Sequence, residues 1–312
     1  MTTTDVGNSK LSLGIDIGST KAHAVVLDAD SNLVAEAAMF TRRGPEGVLS
    51  CLIDLARRLS DKVGVSLRSF DAVGVGIPGV VNRASGEITS AVNLRIDHMP
   101  LGEMIAGEFA VPVRIDNDVK VSVVAAGMLL KSLSVTYLNF GTGLATATLA
   151  GRLIRGTDNL AGEIGHIVLD PQGQPCRCGQ RGCLETIVGG AYLAPRMDML
   201  DLDWTKLDQV TSATGKAARD QAIDVIARIA VLMATVYGSE HIILGGGVIQ
   251  AAPWVLGAVK RYLLDRDGVA FPPYARIAEQ IDTHERDDQL AAIGAALIGQ
   301  GWTEGYKLSE HP

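Results

Sequence analysis

A chain of 312 residues with 47% hydrophobic and 20% charged content has enough apolar material for two cores, and that composition excludes extended disorder. A net charge of −7 excludes the basic footprint that nucleic acid or an anionic membrane surface requires. No apolar run reaches the roughly 20 residues of a spanning helix. The polar first ten residues carry no secretory signal, and four cysteines in so long a chain do not make a small disulfide scaffold, so a reducing, cytoplasmic setting is expected.

The predicted elements begin with a strand from Leu11 to Ile17, a Gly18-Ser19-Thr20 turn, and strands over Ala22 to Leu27 and Leu33 to Phe40. Helical spacing over Pro45 to Val63, with Pro45 in the first turn, predicts a helix. It makes Cys51 a small buried hydrophobe. A short strand from Ala72 to Ile77 ends in Pro78-Gly79. A helix over Leu101 to Phe109, a strand over Val111 to Ile115 and a helix over Val119 to Leu130 follow. The pattern then restarts, with Val135 to Phe140, the turn Gly141-Thr142-Gly143 and Leu144 to Leu149. Two related lobes are therefore expected, with a boundary near 118–134. A long helix over Gly215 to Tyr237, a strand over Ile242 to Leu244, the loop Gly245-Gly246-Gly247 and a helix over Asp288 to Ile298 close the chain.

Three kinds of motif carry chemistry. Glycine turns bring backbone N–H groups close to phosphate oxygens, although a single such turn is usually just a hairpin. Here Gly18-Ser19-Thr20-Lys21 and Gly141-Thr142-Gly143 head successive lobes, and Gly245–Gly247 adds a third cluster, which favours a nucleotide site. Asp16, ending the first strand, is placed to hold magnesium through water. Asn117 and Asp118 open a helix after a strand; the pair suits an N-cap and equally a general base beside a hydroxyl-binding amide. Finally, Cys176, Cys178 and Cys183 lie within eight residues, ten after His166. Three thiolates and an imidazole suit a tetrahedral zinc with no open position, which is a structural ion. Glu163 and His166 share one face of a turn, and Glu185 follows the cysteines, so all three would line the rim of that metal site.

Together with Gly76-Ile77-Pro78-Gly79, Asn93-Leu94, Gly151-Arg152, Gly162-Glu163-Ile164-Gly165-His166 and the block Cys176 to Glu185, these motifs give the chain a family likeness. From about residue 11 to 300 it resembles the ROK family of sugar kinases and sugar-responsive repressors, within the actin-like ATPase and hexokinase superfamily. The resemblance implies an α/β, two-lobed, ribonuclease H-like fold with its active site in the interlobe cleft. The first lobe would be residues 1–118 with a C-terminal helix of about 289–312 packed back on it, and the second 119–288 with the zinc motif. It implies Asp118 as catalytic base, with Asn93, Asn117, Asp118, Glu163, His166 and Glu185 binding sugar. His166, Cys176, Cys178 and Cys183 would hold structural zinc. Magnesium and ATP would lie on Asp16, Gly18, Ser19, Thr20, Lys21, Gly141, Thr142 and Gly143, with adenosine near Gly245 and Gly246.

The implied activity is ATP-dependent phosphorylation of a hexose, glucose first, at its 6-hydroxyl. Fructose, N-acetylmannosamine and N-acetylglucosamine are rival substrates, polyphosphate a rival donor, and a non-catalytic sugar sensor a rival role. The implied partners are sugar and nucleotide, without nucleic acid or membrane, in a homodimer or higher homo-oligomer. Family repressors carry a winged helix ahead of this fold, whereas about ten residues precede the first strand here, so direct DNA binding is not expected. The chain departs from the family pattern at Ser19, at Lys120 close to Asp118, and at Ala145 and Ala147, where glycines are usual. The two added methyls are expected to lower nucleotide affinity.

Overall fold

The computed structural model describes residues 10–192, 204–266, 268 and 272–302. Two compact units emerge. One holds Met1–Ser132, Arg155–Leu160 and Asp288–Pro312; the other holds Leu133–Ile154 and Ala161–Asp287.

The first unit is built on a five-stranded sheet of β1 (Ser12–Ile17), β2 (Lys21–Leu27), β3 (Leu33–Phe40), β4 (Ala72–Ile77) and β8 (Val113–Asn117), in the order β3-β2-β1-β4-β8. Strands β1 to β3 form an antiparallel meander, and β4 and β8 add in parallel. Helix α1 (Pro45–Val63) starts at its proline and ends at Gly64, whose φ of 73° closes the last turn. It buries Val48, Cys51, Leu52, Leu55, Ala56 and Leu59, the stripe that i, i+3, i+4 spacing predicts. A small antiparallel sheet, β5 (Val80–Asn82), β6 (Glu87–Ala91) and β7 (Ile96–Met99), is inserted after β4.

Helices α2 (Leu101–Ile105) and α3 (Asp118–Leu130) flank β8 in sequence. The expected strand at Val111 starts two residues later because Pro112 has no N–H for a ladder, and it runs on until Asn117 pairs with Ile77. The preceding helix is four residues shorter than its expected range, ending at Ile105.

The last helix of this unit spans Leu290–Gly299. On its flank, a Cβ at Gly14 of β1 would lie 2.1 Å from the Ala292 carbonyl oxygen, and one at Gly294 would lie 1.8 Å from that of Val121. Backbone-to-backbone approach therefore seats this helix on both β1 and α3. Helix α3 groups with the terminal helix in this unit, whose first segment runs to Ser132, inside the expected boundary region of 118–134. The segment Arg155–Leu160, expected in the second lobe, also belongs here. Residues 303–312 of the expected C-terminal helix lie outside the described residues.

The second unit repeats the plan. Strands β9 (Ser134–Phe140), β10 (Leu144–Ala150), β11 (Arg152–Leu153), β12 (His241–Gly245) and β13 (Ile281–Asp282) take the order β11-β10-β9-β12-β13. An antiparallel hairpin again precedes a parallel addition, here β12 on β9. In chain order, the α-helices among this unit's described residues are α4 (Glu185–Val188), α5 (Ala213–Tyr237), α6 (Gly247–Ala251), α7 (Trp254–Leu264) and α8 (Tyr274–Gln280), and the terminal helix of the first unit is numbered α9. The core joins Leu138, Phe140 and Leu244 of the sheet to Val225, Ile226, Ile229 and Met233 of α5. Ser212 caps α5, its hydroxyl accepting from Gly215 N at 3.1 Å.

Candidate active site and metal centre

In the first unit, β1 and β8 flank β4, and the register sets Asp16, Gly76 and Asp116 side by side. A Cβ at Gly76 would sit 3.5 Å from Asp16 Oδ1 and 3.6 Å from the Asp118 α-carbon, so the missing side chain lets the two aspartates share one corner. Asp16 as a residue is half-buried, but its Oδ1 is buried with no hydrogen-bond partner. That atom decides its chemistry: burial, reinforced by the Asp118 charge, pushes the carboxyl well above the usual range. An orphaned buried carboxylate oxygen beside a second carboxylate fits a hard cation such as magnesium.

The turn Gly18–Lys21 is braced by the residue that follows β3: Thr41 Oγ1 donates to the Gly18 carbonyl at 2.7 Å, and Thr41 N donates to Thr20 O at 2.9 Å. No sequence motif singles out Thr41, because its role depends on β2–β3 pairing. Ser19 and Thr20 lie at the surface end of that turn and Lys21 is exposed.

Of the cap and base roles that sequence leaves open for Asn117 and Asp118, the structure assigns the cap. Asn117 is the cap: its Oδ1 accepts from Val119 N at 3.1 Å and Lys120 N at 3.2 Å, while Nδ2 donates to Gly79 O at 3.3 Å. Asp118 is the first helical residue and does not serve as the cap. Lys120 is 1% exposed and engaged in a polar or electrostatic interaction. Asn93 sits half-buried on the short 3-10 turn Val92–Leu94.

In the second unit, the turn Gly141–Gly143 is held by backbone bonds from Gly190 N to Gly141 O at 2.8 Å and Ala191 N to Thr142 O at 2.9 Å. A Cβ at Gly143 would come within 2.5 Å of Glu185 Oε2, which places that buried carboxylate against the turn. Ala147 is buried within β10 opposite Tyr137, and Ala145 pairs with Asn139. The Gly162 to His166 segment lies flat on β10: Cβ atoms at Gly162 and Gly165 would meet the Thr146 and Leu144 carbonyl oxygens at 1.9 and 2.1 Å. The two glycines of Gly-Glu-Ile-Gly-His are thus a packing requirement. They bring the 3-10 turn Ile164–His166 to the sheet, with Glu163 exposed at its start. Gly245 ends β12 and Gly246 follows it, and Asp287 holds this corner, accepting from Gly246 N at 2.9 Å and from Tyr137 OH at 2.7 Å.

His166, Cys176, Cys178 and Cys183 each offer one donor atom, all within 4.8 Å of one another. The Cys178 and Cys183 sulfurs are 3.7 Å apart, and His166 Nδ1 lies 3.7 Å from Cys176 Sγ. Zinc–sulfur bonds of about 2.3 Å in a tetrahedron put sulfurs about 3.8 Å apart, so the spacing suits zinc and none of the cysteines is disulfide-bonded. Burial alone would raise the Cys178 thiol, but hydrogen bonds from the Gln180 side chain and backbone and from neighbouring thiols bring it to about 6. Burial and the other two thiols push Cys183 up to about 12. Glu185 Oε1 lies 3.2 Å from Cys176 Sγ and 3.8 Å from His166 Nδ1, so it borders the cluster and the glycine turn at once.

A family model described as "ROK family" matches residues 12–301. The chain belongs to the ROK family. Among its ROK relatives, a glucokinase of Halalkalibacterium halodurans is 28% identical over 322 aligned residues, covering 93% of each chain. The DNA-binding transcriptional dual regulator NagC of Escherichia coli is 25% identical, covering 95% of this chain and 77% of its own. The ROK hexokinase structure from Thermus thermophilus superposes with a TM-score of 0.74 at 27% identity, covering 93% of this chain and 98% of that one. The two-lobed actin-like ATPase fold is that of these ROK hexokinases. Among the described residues no helix is long and apolar enough to cross a membrane.

Proposed function

We propose that the chain is an ATP-dependent hexose kinase that phosphorylates the sugar 6-hydroxyl, with glucose its leading substrate. The observation that carries this reading is the division of labour at Asn117 and Asp118. The amide caps the helix, so the carboxylate is not consumed by capping and stands at the helix N-terminus, where negative charge is favoured. In the transfer, Asp118 takes the proton of the sugar hydroxyl as the oxygen bonds to the γ-phosphorus. The bond from γ-phosphorus to the bridging oxygen breaks, and ADP leaves. Magnesium, when bound, neutralises phosphate charge; Asp16 would hold it.

Asn117 keeps one amide hydrogen beyond the bond to Gly79 for a sugar hydroxyl. Asn93, Glu163, His166 and Glu185 would bind the remaining hydroxyls. The turns Gly18–Lys21 and Gly141–Gly143 would present N–H groups to the phosphates, with adenosine at Gly245 and Gly246. Zinc, when bound, would fix the loop that carries Glu185 and aims His166, whose Nδ1 faces the thiols and whose Nε2 is left for substrate. A homodimer or higher homo-oligomer, and ATP rather than polyphosphate as donor, complete the proposal.

The similarity to a transcriptional regulator, together with Ala145 and Ala147, supports a second reading, a sugar sensor without catalysis. An ADP-release assay over glucose, fructose, mannose and the N-acetyl hexosamines, run with calorimetry of sugar and of magnesium-ATP, separates the two. Sugar-dependent ADP release supports the kinase. Sugar binding without nucleotide binding or turnover leaves the sensor.

A further inference from the structure

Asp116 precedes the Asn117–Asp118 pair, is 1% exposed, and collects more donors than a surface carboxylate needs. Arg155 reaches it twice, with Nη1 donating to Oδ1 at 3.0 Å and Nη2 lying 2.7 Å from Oδ2. Asn159 Nδ2 donates to Oδ1 at 3.1 Å, and Arg83 Nε lies 3.4 Å from Oδ2. The same Oδ1 accepts from Asn117 N at 2.9 Å. The orientation of the Asp116 carboxylate therefore sets the peptide that begins the cap, and through it the start of the helix bearing Asp118.

The arms of this clamp are unequal. The Arg83 side chain is 37% exposed and its pair is screened by water, whereas that of Arg155 is 12% exposed. Arg155 also donates from Nη1 to Asn159 Oδ1 at 3.1 Å, so it arranges the second arm as well. Its Nε is buried without a hydrogen-bond partner, and Nη2, though in ion-pair contact with Asp116 Oδ2, makes no hydrogen bond either. A buried guanidinium with an unmet donor is a poor device for stability alone, because apolar packing of similar volume often does as well or better. Orientation is what such a pair supplies: one hydrogen bond and one close ion contact from a planar guanidinium hold both carboxylate oxygens.

We infer that Arg155 is a positioning residue for phosphoryl transfer: through Asp116 it fixes the Asn117–Asp118 corner from which the base acts. The inference rests on the kinase reading above, but its structural half is testable without turnover.

The experiment compares wild type with Arg155→Met, Arg155→Lys and Asp116→Asn. It measures steady-state kinetics per folded molecule on the best hexose, and hydrogen exchange at Val119 and Lys120, whose N–H groups Asn117 holds. Displacement of the base by a fraction of an ångström or more predicts that Arg155→Met lowers kcat about 10- to 100-fold while sugar KM stays within about threefold. Arg155→Lys should recover part of the loss, since it restores charge without the planar fork. Exchange at Val119 and Lys120 should quicken at least about tenfold, with that of β1 unchanged. A lower melting temperature with kcat within twofold of wild type would mark a purely structural pair and overturn the inference. Should Arg155→Met fail to fold, Arg155→Lys and Asp116→Asn are read by the same criteria. If wild type turns over no sugar, the kinase reading fails separately, and unchanged exchange in these variants sinks the clamp itself.

Discussion

Asp16 is the residue where folding and function pull in opposite directions. Its carboxyl is buried, lacks a partner at Oδ1 and faces Asp118, so the folded state favours the protonated form. A raised folded-state pKa means the stabilising contribution is complete below the unfolded carboxylate value near 4. It is lost as pH rises through the folded value. Urea unfolding at pH 5 and pH 8 should therefore show Asp16→Asn gaining on wild type as pH rises, by an amount on the order of 1–3 kcal/mol once the charge is fully developed. The same variant should lose magnesium-dependent turnover. A variant no more stable than wild type at pH 8 would mean that Asp16 is satisfied in the metal-free protein. These aspartates were only half legible from sequence. Asp16 and Asp118 stand in recognisable motifs, but Asp116 and Arg155 are 39 positions apart and no local pattern joins them.

At the scale of elements, glycine placement explains packing that hydrophobic periodicity does not. Helix α9 reaches β1 and α3 through Gly14 and Gly294, and a methyl on Gly294 would press on the Val121 carbonyl. Gly294→Ala should therefore lower unfolding free energy by roughly 1–3 kcal/mol or more despite its better helix propensity, as chemical denaturation would show. An unchanged midpoint would mean that α9 does not sit this close. The hairpins around both glycine turns and helix α1 were legible because alternation, helical spacing and Pro45 are local signals. The sheet β5–β7 was not, since strands of three to five residues interrupted by Arg83, Gly86 and Arg95 carry too few alternations to register. The cluster of His166, Cys176, Cys178 and Cys183 was legible as a candidate ligand set, and the structure adds that Glu185 touches it. Chelation of zinc, or Cys178→Ser, should accordingly weaken sugar binding at least about tenfold while leaving ATP affinity within about threefold. Calorimetry with each ligand checks this, and equal losses for both would point to general unfolding.

For the whole molecule, the repeated sheet order makes each unit a variation on one plan, in which a hairpin with a glycine turn precedes a parallel strand. The restart of that pattern near residue 134 was visible in the sequence. The grouping of Arg155–Leu160 with the first unit was not, because it rests on contacts distant in sequence, such as that of Arg155 with Asp116. ROK membership alone does not choose between kinase and sensor, since the family includes both, so the choice returns to what Asp118 does. The most direct measurement is turnover of glucose with magnesium-ATP by wild type and Asp118→Asn, with glucose affinity measured in parallel. The account predicts sugar-dependent ADP release in wild type and a loss of roughly 10²- to 10⁴-fold in kcat for the variant, with glucose still bound. Wild-type protein that binds glucose but releases no ADP, or an Asp118→Asn variant that keeps most of its turnover, would contradict it.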